Sequence, residues 1–420
     1  MPQKKEDVRL IRTLGGRIGV QFTDEGPSDL LELFHSIDSA QYLDLVEEVV
    51  NVCEESPDRT EQVIRQLEIV FKGEDHEVRE MATLVAVQLA ESRPERLREF
   101  VPLLVDSLED APGPVADNAA LALSQIASEY PSDIELAASR CGWLLDSELS
   151  FLRQRGLDIV VPVARAAPEK VVPVVPELVN LARERTCWEQ PDRLDRVTSE
   201  ITRREIAEAS RREQIDREVQ RARAILTLRL IAERRPADLV SAITPLGRLL
   251  QTETNPQAQL ALMNIISLVV NTDSEAVLPV LSKLTDTIRT SCDSELQGAA
   301  IRILAALGED HLDEVGPAVE ELIPSITGLL RDDEPSTRGA TAVLLTYGAE
   351  YQPEPIEPAV TDLRALLDDE HEYVRGSAIW ALGLVGDDIS RPVLQELSTS
   401  DPADQVRNAA SEAIQMLEDR

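Results

Sequence analysis

Residues 371–386 read HEYVRGSAIWALGLVG. A Val-Arg pair opens the stretch, apolar residues follow at spacings of three and four, and Gly386 closes it. That spacing lays apolar side chains along one face of a helix, and glycine is the residue that most readily ends one. His371, Arg375 and Trp380 also fall within ten residues, which invites a reading as a binding site. Whether the stretch is a site or a building unit depends on whether it recurs.

It does recur. The segments AESRP (90–94), ASEYP (127–131) and ARAAP (164–168) place Pro94, Pro131 and Pro168 at two successive intervals of 37 residues, and AERRP (232–236) and AEYQP (349–353) repeat the pattern. Each proline follows an apolar helical run such as 78–90 or 115–127. Proline cannot continue a helix and disfavours helical geometry in the residue before it, so each unit reads as helix, stop, second helix. The second helices are expected at 101–110, 174–184, 243–253, 278–288, 321–330 and 358–369, with Pro102, Pro176, Pro245, Pro279 and Pro358 at or near their starts, where proline is tolerated. Aligning the first helices brings Val78-Arg79, Leu152-Arg153, Thr337-Arg338, Val374-Arg375 and Val406-Arg407 into one column, with Val115, Leu296 and Gln220-Arg221 in weaker copies. A helix pair this short cannot bury both faces alone, and stacked neighbours complete its core.

The units at 74–90, 368–386 and 401–417 resemble HEAT repeats, and the 368–386 copy is similar to the HEAT-like variant of phycobilisome lyase proteins. The resemblance runs over roughly 28–420 and implies an all-α fold, a right-handed α-α superhelix (HEAT/ARM-type solenoid) of about nine helix-pair repeats. It also implies an acid–arginine ladder, pairing Asp75 with Arg79, Asp369 with Arg375 and Asp404 with Arg407, with Arg153 and Arg338 in the same column. Gln259 and Gln297 stand where the arginine is expected, and residues 1–26 match no unit.

The expected organisation is a flexible basic tail at 1–26, N-terminal repeats at 27–184, a charged helical insertion at 185–220 and C-terminal repeats at 221–420. In the tail, Lys4, Lys5, Arg9, Arg12 and Arg17 outnumber Glu6 and Asp7, and a short docking segment or a strand is the alternative. After Pro191 the insertion lacks helix breakers, so 192–220 reads as a long helix. Its opposite charges recur three and four residues apart, as in Glu200 with Arg204 and Glu208 with Arg212, a pattern that supports a solvated helix. The apolar stripe is thin (Leu194, Val197, Ile201, Ile206, Ile215, Val219), enough to lean on the solenoid or a partner. Between 183 and 235, fourteen arginines face eleven acids, a net of +3 in a chain of −35. Arg196, Arg203, Arg204, Arg211, Arg212 and Arg217 are therefore the candidate partner contacts.

Only five of the 42 basic residues are lysine. An acidic, lysine-poor composition resembles that of proteins from salt-accumulating halophiles, where salt screens self-repulsion. The charge then says little about partners. Cys53, Cys141, Cys187 and Cys292 form no CxxC and suit a reduced cytoplasmic protein. No window has the length and apolarity of a membrane span or signal sequence.

The chemistry-bearing motifs are missing. The histidines His35, His76, His311 and His371 have no zinc spacing. There is no GxxxxGK[ST] run, no GxSxG elbow and no EF-hand loop, and LGGRIGV at 14–20 lacks the GxGxxG spacing. We expect no catalytic, cofactor-binding or metal-binding residues. The leading expectation is a non-enzymatic scaffold for another protein, argued from architecture. The alternatives are a nucleic-acid-associated protein contacting phosphates through the insertion arginines and, from the lyase resemblance alone, an enzyme.

Overall fold

The computed structural model describes residues 9–12, 18–21, 29–35, 42–55, 57–109, 113–184 and 200–419. The chain divides into two compact units, Met1–Leu230 and Ile231–Arg420.

Unit one begins with strands β1 (Arg9–Arg12) and β2 (Ile18–Gln21), paired antiparallel with Arg9 opposite Gln21. Strand was the alternative to an irregular tail at 1–26. The β-branched Ile11, Ile18 and Val20 suit it, with Gly15-Gly16 between. Helices α1 (Asp29–His35), α2 (Tyr42–Glu55) and α3 (Pro57–Phe71) follow. The repeats then run α4 (His76–Ser92) with α5 (Val101–Ser107), α6 (Pro114–Glu129) with α7 (Glu135–Arg140) and α8 (Gly142–Leu145), and α9 (Ser150–Ala166) with α10 (Val175–Arg183). The first helices stack in register, α4 on α6 and α6 on α9. Helix α11 (Glu200–Arg234) carries the unit's last residues.

Unit two comprises α12 (Ile243–Thr252), α13 (Pro256–Val270), α14 (Leu281–Thr290), α15 (Ser294–Gly308), α16 (Leu312–Ile326), α17 (Pro335–Tyr351), α18 (Val360–Ala365), α19 (Glu372–Val385), α20 (Arg391–Ser400) and α21 (Asp404–Glu418). Its first helices α13, α15, α17, α19 and α21 stack consecutively, and α12, α14 and α16 line the other layer. Pro94, Pro131, Pro168 and Pro236 each open a 3-10 turn after a first helix, the stop that the spacing anticipated. Helix α16 starts well ahead of the 321–330 run, because Asp313 and Glu314 in its first turn suit the helix N-terminus.

The core is aliphatic. Val78, Val115, Leu152, Leu296, Val374 and Val406, the first members of the aligned column, are all buried. The glycine expected to end the 371–386 stretch does so: Gly386 has φ 83°, the left-handed geometry of a helix C-cap, and its N–H bonds the Leu382 and Gly383 carbonyls. Small residues let the layers approach. A Cβ at Gly308 would stand 2.3 Å from the ring of Tyr347.

The arginine column is a clamp on the backbone. Arg79 donates to the Gly73 carbonyl (2.8 Å), Arg153 to Ser147 (2.8 Å), Arg338 to Asp332 (2.8 Å), Arg375 to Asp369 (2.7 Å) and Arg407 to Asp401, each six residues back. These carbonyls sit just past the preceding second helix, so one guanidinium fixes the turn between repeats. Gln259 reaches the Glu253 carbonyl (2.7 Å) and Gln297 the Ser291 carbonyl (3.0 Å), so the glutamines that depart from the pattern make the same bond.

Of the pairs the resemblance implied, Arg407 with Asp404 forms, while Arg375 takes a different carboxylate. Arg375 pairs with Asp401 (2.8 and 2.9 Å), not with the carboxylate of Asp369, and Asp369 instead holds Arg338 of the preceding repeat (2.8 and 3.1 Å). At Arg338 and Arg375 the ladder therefore runs from the arginine to the acid of the next repeat. The reason is geometric: an arginine already bent back onto its own turn has its remaining N–H groups facing the next repeat. Asp75 caps α4, accepting from the N–H groups of Glu77 and Val78, and lies 3.2 Å from His35. Arg407, in the last helix, forms an ion pair with Asp404. Arg153 bonds the side chain of Gln220 (2.9 Å), which stands where the other rungs have an aspartate.

Candidate functional site

Helix α11 interrupts this regularity. The expected boundary at residue 220 falls inside it, since no breaker separates Gln220 from what precedes. From Gln220 onward the side chains enter the repeat layer. Gln220 is 1% exposed, and it accepts from Arg153 while donating to the Ser150 carbonyl (2.8 Å) and hydroxyl (2.9 Å). Arg221 donates to the Ala182 carbonyl at the end of α10 (2.8 Å), and Arg223 pairs with Asp158 on α9 (2.7 Å). Arg221 thus makes the column's backbone clamp across 39 residues rather than six. The repeat closes around the added chain.

Ahead of the clamp the described side chains, the half-buried Gln214 excepted, face solvent. Arg211, Arg212, Glu213, Ile215, Asp216, Arg217, Glu218 and Val219 are all exposed. Arg217 pairs with Glu213 one turn back (2.6 Å). Arg203 and Arg204 lie on α11, but their side chains fall outside the described residues, as does Arg196 entirely. The twenty residues from Glu200 to Val219 make an arm about 30 Å long at 1.5 Å per residue. Sequence reading singled out the arm's arginines and placed Gln220-Arg221 in the repeat column, but not the partners they anchor to. Ser150, Asp158 and Ala182 carry no motif, and only tertiary contact brings them to the helix.

Other candidates have structural roles. Ser274, Asp310 and His311 converge, with Ser274 Oγ donating to Asp310 (2.8 Å) and His311 Nε2 3.0 Å from that oxygen. A hydroxyl that gives its proton to a carboxylate leaves the imidazole no proton to take, so this trio lacks the order that activates a serine nucleophile. It laces two turns one repeat apart. The Cys141 thiol is buried beside Glu177 and pushed up to about 12, first by burial, which suppresses the reactive thiolate. Among the described residues no cluster of His, Cys, Asp or Glu could hold a metal ion, and no helix is long and apolar enough to cross a membrane. A surface recess of about 460 Å³ lies along the second-helix layer at Glu95–Leu136, and one of about 530 Å³ lies between first helices α15 and α17, beside Arg302 and Asp332–Thr337. Trp143 and Trp380 are each half-buried.

Comparison with known proteins agrees with this geometry. A family profile described as HEAT repeats matches residues 323–415, and one described as a HEAT-like repeat matches 76–126 and 294–347. No curated protein is similar to the chain in sequence. Among solved structures, a chain from work on a phosphorylation switch controlling the interaction between cadherin and beta-catenin superposes with a TM-score of 0.62 at 14% identity, covering 93% of this chain and 82% of that one. A computationally designed armadillo repeat protein for modular peptide recognition gives 0.40 at 18% identity (47% and 93%), and an engineered protein 0.38 at 16% (67% and 96%). The chain is an all-α repeat solenoid whose matched segments, 76–126, 294–347 and 323–415, are HEAT-type repeats.

Proposed function

We propose that the protein is a non-enzymatic scaffold that binds another protein through the exposed surface of its second helices and through the α11 arm. The observation that carries this reading is the arm itself: a helix anchored by Gln220, Arg221 and Arg223 whose described side chains beyond the anchor cover no core. Exposed Ile215 and Val219, four residues apart, give this stretch apolar surface for a partner to cover. The solved chain of like fold comes from work on an interaction between two proteins, which supports the same use here. The unbridged thiols Cys141 and Cys292 suit a reducing cytoplasm.

Affinity purification from the native host, followed by cross-linking and mass spectrometry, tests the proposal. The full chain should retain a partner protein with cross-links on second helices or on the arm. A chain that stays monomeric and uncross-linked at its native salt concentration overturns it.

A further inference from the structure

Three turns between repeats hold an aspartate in the same way. Asp332 Oδ1 accepts the N–H of Glu334 (2.9 Å), Asp369 Oδ1 that of His371 (2.9 Å) and Asp401 Oδ1 that of Ala403 (2.8 Å). At two of these turns the carboxylate also takes a guanidinium by two bonds. Asp369 accepts from Arg338 (2.8 and 3.1 Å) and Asp401 from Arg375 (2.8 and 2.9 Å). At the third, the preceding column residue is Gln297, whose amide turns back to the Ile288 and Ser291 carbonyls (2.8 and 3.0 Å). Asp332 pairs with no cation among the described residues.

The recess of about 530 Å³ between α15 and α17 opens at this turn, with Asp332 in its wall. Ser336 lines it, two residues before the column arginine, where the next repeat has Tyr373, whose ring covers Gly339. The wall carries four carboxylates, Glu295, Asp332, Asp333 and Glu334, against the single guanidinium of Arg302. That guanidinium is directed at the hydroxyls of Ser336 (3.5 Å) and Thr337 (3.3 Å).

We propose that this recess binds a guanidinium group from outside the chain, with Asp332 as its two-oxygen partner. The receptor is the one that the chain builds twice more for its own arginines, at Asp369 and Asp401. The Glu334 N–H already orients the carboxylate, so little ordering cost remains on that side. A planar guanidinium matches both carboxylate oxygens at once, which an ammonium does not. Phosphate and other anions meet an excess of negative charge, and among the described residues no cluster could hold a metal ion. The group belongs to a free arginine-like cation or to an arginine of a partner protein. The site goes beyond the scaffold reading, because it is defined by ligand chemistry and stands or falls separately from it.

The test titrates the full chain at fixed salt with methylguanidinium, methylammonium, free arginine and the peptide acetyl-Gly-Arg-Gly-amide, following backbone amide shifts by NMR. Methylguanidinium and both arginine probes should give saturable shifts at Ser294 and Asp332–Glu334, and methylammonium should not. Asp332→Asn should weaken binding by about tenfold or more. Gln297→Arg should abolish it while raising Tm, because it supplies the guanidinium from within the chain and leaves Asp332 charged. That variant separates occupancy of the site from damage to the fold. Tighter binding of the peptide than of free arginine assigns the group to a polypeptide, and equal binding assigns it to a small molecule. Equal shifts with methylammonium, or undiminished binding by Asp332→Asn or Gln297→Arg, overturn the inference and leave the scaffold reading standing.

Discussion

Arg375 shows how one residue joins two repeats. Its guanidinium holds the Asp369 carbonyl of its own turn and the Asp401 carboxylate of the next, with the Asp401 side chain only 2% exposed. Asp401→Ala strands this buried charge and should cost about 3 kcal/mol in denaturant unfolding of unit two. The Arg375 guanidinium, working against burial, holds the Asp401 carboxyl below the usual carboxylate range. At Asp369 and Asp387 burial opposes ionisation, but Arg338 and Arg364 respectively prevail and hold those carboxyls low as well. An unfolded aspartate titrates at about 3.9, so near that pH the unfolded chain binds more protons and stability rises with pH. The contribution is fully present above the unfolded value and is lost as pH falls through the lowered folded values. Acid titration of the unfolding free energy should show this loss, and Asp401→Asn should shrink it. The ladder also has a vacant rung. Asp332 accepts the Glu334 N–H (2.9 Å) as Asp369 does that of His371, but the preceding column residue is Gln297, which carries no charge. Gln297→Arg should complete the rung and stabilise unit two by about 1 kcal/mol in denaturant unfolding.

At the scale of the element, α11 is two things in one helix. Residues 220–223 are repeat structure, whereas Arg211, Arg212, Glu213 and 215–219 before them are exposed. Because Arg221 closes onto Ala182 without help from the arm, deleting 192–217 should leave helicity per residue and the cooperative melt nearly unchanged by circular dichroism. A lost transition would show that the arm contributes to the core. Of the helix expected at 192–220, the part from Glu200 is helical, and 192–199 lies outside the described residues. The repeat column already held Gln220-Arg221, but their partners are not legible there, because Gln220 bonds residues 67 and 70 positions away and nothing in local spacing reports a contact that distant.

For the whole molecule, the charge of −35 is the dominant long-range term. Raising salt from about 0.1 to about 1 M shortens the screening length from about 10 to about 3 Å. It should therefore raise Tm, by about 2–4 °C for each kcal/mol of repulsion removed from a unit of this size. Exposed pairs such as Arg289–Asp286 lose strength under the same change, while the buried Arg375–Asp401 pair is largely shielded from it. A fall in Tm would mean that surface pairing outweighs self-repulsion.

The fold was written locally. Recurrent prolines, a Val-Arg column and helical apolar spacing each act within a few residues, and together they determined a stack of helix pairs. HEYVRGSAIWALGLVG is one copy of that unit, and its Arg375 is a structural clamp. Tertiary structure alone decided which acid each arginine meets, that Gln259 and Gln297 preserve the clamp, and that α11 is anchored at its midpoint. These depend on where one repeat lies against the next, a distance set by packing of the aliphatic core that no single segment encodes.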